Sequence, residues 1–137
     1  QASFFNDDIV SDFNTGNLFK LSPGVFDDNG ADILMQIRGE IIGERERLIG
    51  HSSLQVVMEH GVGLSSGQGS DPQAMLRWSD DAARTWSNEH WRDIGKIGQF
   101  RSRAIWRSLG RARDRVYELS ISDPIKRVIV GIQLAAR

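Results

Sequence analysis

Polar and apolar residues alternate with a period of two along most of this chain, and turn signals interrupt the alternation roughly every 8–12 residues. A period of two sends successive side chains to opposite faces of a strand, so that one face is buried and the other is wet. Tyr117, Leu119 and Ile121 alternate in this way with Glu118, Ser120 and Ser122, a half-buried strand. Leu54, Val56 and Met58 alternate with Gln55, Val57 and Glu59, and Ala74, Leu76 and Trp78 with Met75 and Arg77. Ala104 and Trp106 share a face with Ser102, leaving Arg101, Arg103, Ile105 and Arg107 on the other. A strand is predicted over 33–42, with Ile33, Met35, Ile37 and Gly39 on one side. Val128, Val130, Ile132 and Leu134 supply the last buried face, where Gly131 lets a neighbour pack closely.

Turn chemistry separates these runs. Ser22-Pro23-Gly24, Asp27-Asp28-Asn29-Gly30 and Asp123-Pro124 each reverse the chain, and Asn-Gly supplies the positive φ values of a tight hairpin. The charged run Glu44-Arg45-Glu46-Arg47, bracketed by Gly39, Gly43 and Gly50, predicts a hairpin with a charged tip. Residues 1–17 are polar after Phe4 and Phe5 and read as a terminus that wanders unless another segment holds it, with a short strand or turn at Ile9, Val10 and Phe13. A further strand is expected at 18–21. Roughly eight short strands predict an all-β chain, folded as an antiparallel β-sandwich or jelly-roll-like domain. Nothing repeats at a fixed period, so neither a solenoid nor a complete propeller is supported by this chain alone.

The chemistry of common enzyme sites is missing. At 137 residues the chain suits one domain with a real core, and it contains no cysteine, which excludes disulfides and thiolate metal sites. His51, His60 and His90 have no second histidine at metal-ligand spacing, so no metal and no cofactor is expected. No nucleophile elbow or phosphate-binding loop occurs. Glu89 and His90, adjacent in a strand, point to opposite faces. Tyr117, the single tyrosine, sits on an apolar face that suits packing better than attack. No signal-peptide pattern or long apolar run points to a membrane. The chain begins at Gln1 rather than Met, which reads as a piece processed or excised from a longer polypeptide.

The most distinctive stretch is 61–91, GVGLSSGQGSDPQAMLRWSDDAARTWSNEHW. Its first 13 residues, with four glycines and Pro72, read as an ordered loop. Three of the four tryptophans (Trp78, Trp86 and Trp91) lie in or beside the acidic turn that follows, and they read as core rather than contact. The octapeptide 79–86 resembles the Asp-box, a hairpin motif of β-propellers found in sialidases, other glycan-handling proteins and purely structural ones. Ser79, Asp81, Thr85 and Trp86 match the motif; Ala83 stands where the motif prefers glycine, which bears on its left-handed turn residue and not on the hairpin. The acids of such turns mostly bond the local backbone, so Asp80 and Asp81 are read as structural.

A wider resemblance covers 52–134. Long phrases there, GSDPQAMLRWSDD, TWSNEHW, IGKIG and RDRVYELSISDP, resemble the C-terminal part of the phage packaged-DNA stabilisation protein, the tail hub of short-tailed double-stranded DNA phages. The segment 16–30 resembles the end of a propeller blade feeding into that region, so a lead-in over 1–31 and an all-β domain over 32–137 are expected. The resemblance implies a structural virion protein, present in host cytoplasm during assembly. It would form a homo-oligomeric ring with an adaptor ring, a tail needle and tailspikes, closing the tail channel on packaged DNA.

Charge is split unevenly: residues 1–76 hold 4 basic against 11 acidic side chains and residues 77–137 hold 13 against 7. Such a split suits head-to-tail packing of subunits, or two solvated surfaces. Arg101, Arg103, Arg107, Arg111, Arg113 and Arg115 form a candidate contact face within a run that begins at Arg92 and Lys96. That face suits a protein partner, plain solvent, or weak non-specific contact with duplex DNA, which would show a steep salt dependence. A carbohydrate-binding module presenting Trp86 or Trp91 is the other class left open, and glycan binding would distinguish it.

Overall fold

The computed structural model describes residues 2–4, 6–44 and 47–137, and among these every regular element is a strand. Near the N-terminus β1 (Ala2–Phe4), β2 (Asp7–Ser11) and β3 (Leu18–Lys20) form an antiparallel three-stranded sheet, and β4 (Asp27–Asp28) pairs with β5 (Ala31–Asp32). Asn29 and Gly30 take φ of +51° and +86° between those two, the geometry that the Asn-Gly pair predicts. Phe5 lies outside the described residues, and Phe13 projects from the β2–β3 turn almost fully exposed. Among the residues whose burial is described, none before Ile49 is buried.

The core lies between two antiparallel sheets. The first runs in the order β10 (His90–Asp93), β9 (Gln73–Ser79), β13 (Asp114–Ile121) and β6 (Met35–Arg38), with β7 (Ile42–Gly43) also on β13. In the second, β8 (Ile49–Met58) is the centre. It carries β11 (Ala104–Arg107) and β12 (Arg111–Ala112) on one side and β14 (Ile129–Ala136) on the other. Leu54, Val56, Met58, Ala104 and Trp106 from the second sheet meet Ala74, Leu76, Tyr117, Leu119 and Ile121 from the first. Alternation in β8, β9 and β11 therefore aims the residues that it predicts at the core, and the chain is an all-β antiparallel sandwich.

Four expectations change. The strand over 33–42 is two pieces, β6 and β7, broken where Gly39 N–H donates to Tyr117 O at 2.9 Å. The 40–48 segment is no hairpin, because β7 pairs with β13 while β8 belongs to the other sheet; Arg45 and Glu46 of its charged tip lie outside the described residues. In β14 the register slips between Ile129 and Gly131, so Val130 bulges outward, 77 % exposed, and Ile129 packs on the core in its place. Finally, β13 is buried on both faces, since Glu118 and Ser120 are covered as fully as Tyr117 and Leu119.

Candidate functional site

The turn after β9 is held by side chains acting on nearby backbone. Ser79 Oγ accepts from Ala83 N–H at 2.9 Å and donates to Asp81 Oδ1 at 2.7 Å. Asp81 Oδ1 accepts from Arg84 N–H at 3.0 Å and Thr85 N–H at 2.8 Å, while Thr85 Oγ1 donates to Asp81 Oδ2 at 2.7 Å. These bonds, Thr85's first, hold the Asp81 carboxyl well below the usual carboxylate range. The Asp81 oxygens bond the loop's own amides and hydroxyls, so the carboxylate closes a turn. Ala82 and Ala83 have φ of +58° and +68°, a left-handed pair built from residues that carry a Cβ.

Asp80 leaves the turn and binds across the sheet. Its two oxygens accept from Arg115 Nε and Nη2 at 2.5 and 2.7 Å, and Arg115 Nη1 donates to Leu109 O. Arg115 is 3 % exposed. It is therefore removed from the candidate contact face: its position in β13 turns it inward between Asp80 and the rings of Trp78 and Tyr117. Burial alone would weaken its proton affinity, and Asp80 and Tyr117 together more than offset this. Arg101, Arg103 and Arg107 are exposed, as the period-two reading predicts, Arg111 and Arg113 are exposed as well, and none of the five makes an ion pair among the described residues.

A second cluster, absent from the sequence reading, covers the outer face of β13. Cross-strand register sets Glu118 opposite Arg38 on one side and Arg77 on the other. The fully buried Glu118 carboxylate accepts from Gln36 at 2.9 Å, from Arg38 at 3.0 and 2.7 Å, and from Arg77 at 2.5 Å. Burial opposes its ionisation, but the two arginines prevail and keep it below the usual range. Trp86 roofs this cluster, with both guanidinium carbons 4.9 Å from its ring centroid. Trp86 and Asp81 are thus the two ends of one device, a turn stitched at its tip and folded back onto the sheet.

The remaining aromatics divide by role. Trp106 is the one fully buried tryptophan, its Nε1–H donating to His90 O at 2.7 Å. Trp78 stacks on the His90 ring at 4.5 Å, and Trp91 is 48 % exposed, so core is the wrong reading for it. Tyr117 Oη lies 3.0 Å from His51 Nδ1 inside the core, where burial raises the phenol pKa. The 61–73 loop is ordered by its own bonds, Leu64 N–H to Gly69 O at 2.7 Å among them, and closed by Gln73 N–H donating to Asp123 at 2.9 Å. Gly61, at φ +77°, leaves no room for a Cβ, which would stand 2.8 Å from the Phe100 ring.

Each polar cluster is thus closed on itself, and among the described residues no group of His, Asp and Glu is arranged to hold a metal ion. Likewise no helix is long and apolar enough to cross a membrane. A two-sheet sandwich whose polar groups stitch turns and sheets together defines a structural β-module. Residues 35–137 match the family described as Bacteriophage P22 Gp10, beta-sandwich, and the chain belongs to it: this is a structural protein of a phage tail, of the hub type. No curated protein matches the chain.

Proposed function

We propose that this protein works within the tail hub to close the channel and retain packaged DNA, without catalysis or a cofactor. The observation that carries this reading is the family match over the whole sandwich. The closed polar networks support it, because a plug under pressure needs sheets whose bonds do not open to solvent. Residues 1–31 serve as a lead-in, the end of a preceding blade, and 32–137 as the working domain. The hub is a ring of identical copies that meets an adaptor ring, a tail needle and tailspikes in the virion. Ser79, Asp81, Thr85 and Trp86 act as an Asp-box-like brace. Arg101, Arg103, Arg107, Arg111 and Arg113 form the face toward partners or, weakly, toward passing DNA.

Nuclease protection tests this. Particles assembled without the full-length protein should package DNA and then lose it, leaving the genome digestible by added nuclease. Particles that keep a protected genome in its absence would reject the retention role.

A further inference from the structure

The sandwich is shut along one edge and open along the other. At the shut edge β10 and β11 are tied by the Trp106 bond to His90 O and by Arg92 Nε donating to Ile105 O at 3.1 Å. At the opposite edge β6 and β7 of one sheet face β14 of the other, and no hydrogen bond joins them among the described residues. An apolar cleft of about 280 Å³ opens there, with Tyr117, Leu119 and Leu134 at its floor and Ile37, Ile41 and Ile132 around its mouth. All three mouth residues are exposed. Among the described residues the outer backbone edges of β6 and β14 also pair with no other strand.

The shut edge carries the reciprocal feature. The loop joining β10 to β11 holds Ile97 and Phe100, 63 % and 73 % exposed, flanked by Lys96, Arg101 and Arg103. Glu40 lines the cleft, so an apolar mouth with one carboxylate stands on one edge and a basic apolar knob on the other. Neither Glu40 nor Arg101 nor Arg103 has an ion-pair partner among the described residues.

We propose that the open edge of one copy receives the 97–100 knob of the next. Knob and cleft lie on opposite edges of the same small sandwich, so one molecule cannot satisfy itself, but a second copy supplies both the shape and the charge. Because the two patches differ, the contact is heterologous and each added copy exposes a new cleft, which generates a ring or a filament and not a closed pair. A small apolar ligand would fill the cleft and leave the knob uncovered; a copy of this chain covers both. The proposal rests on the hub reading only in taking a ring as the assembly that the contact builds.

This chain contains no cysteine, so introduced thiols are unique within it. Ile41→Cys and Phe100→Cys are prepared as separate variants of this chain and mixed under mild oxidation. The mixture should give a mixed disulfide several-fold above the yield of either variant alone, and the double variant should give a ladder of higher oligomers. Glu40→Arg should weaken self-association at least tenfold in sedimentation, and Glu40→Arg with Arg101→Glu should recover most of it. Cross-linking in the mixture no greater than in the single variants would overturn the contact, whether or not the protein still associates. Particles that retain DNA while the cross-link fails reject this contact alone. Particles that retain DNA without the protein reject the hub reading and leave the cross-link result to stand by itself.

Discussion

Ala83 is a β-carbon in a place that favours none. At φ +68° its Cβ crowds the following carbonyl, a cost of about 1–2 kcal/mol in the left-handed region. The turn persists because Ser79 and Asp81 take up the amides of residues 83–85, so local hydrogen bonds outweigh the strain. Ala83→Gly removes the crowding and costs roughly 0.5–1 kcal/mol in added freedom of the unfolded chain. The net expectation is a gain of about 0.5–1 kcal/mol, seen as a higher denaturant midpoint at unchanged slope. A lowered midpoint would show that the strain is not at residue 83. Asp81's part in this turn was legible because its partners lie within four residues. Asp80's was not: its partner is 35 residues away, and nothing local distinguishes an aspartate that holds a turn from one that reaches a guanidinium across a sheet.

At the scale of elements, β13 shows what alternation can and cannot reveal. Its apolar face was plain in the sequence, but the cover over Glu118 depends on register with β6 and β9, which a period of two does not specify. The bulge at Val130 was equally hidden, because an inserted residue inverts the pattern without breaking it. Across the core face, β13 meets β8 through Tyr117 and His51. His51 is 2 % exposed and its Nε2 has no hydrogen-bond partner among the described residues. Tyr117, Arg115 and Asp80 are the titratable groups facing it; burial first, then Arg115, lower its pKa below 6.5, with Asp80 acting the other way. A histidine whose folded pKa is depressed binds protons better when unfolded, so stability is full above the unfolded value and falls as the pH drops through it to the folded one. Unfolding free energy should therefore decline as pH falls below about 6.5. His51→Gln, which keeps a polar partner for Tyr117, should flatten that decline. An undiminished slope in the variant would assign the titration elsewhere.

Across the whole molecule, burial is concentrated in one part of the chain. Among the residues whose burial is described it begins at Ile49, the family match begins at residue 35, and no described side chain of β1 to β5 belongs to the sandwich core. Three side-chain hydrogen bonds tie the lead-in to the remainder: Arg127 donates to Ile33 O and Phe26 O, and Gln68 donates to Asp32 at 2.6 Å. Leu18, Leu21 and Val25 on that lead-in are exposed. If the sandwich is an independent unit, residues 35–137 alone should unfold in one cooperative step, within about 1 kcal/mol of the full chain, since surface hydrogen bonds contribute little net stability. Calorimetry of both chains measures this directly. A broad or multistep transition in the shorter chain would mean that the lead-in completes the fold, and that the division near residue 32 cuts through a single cooperative body.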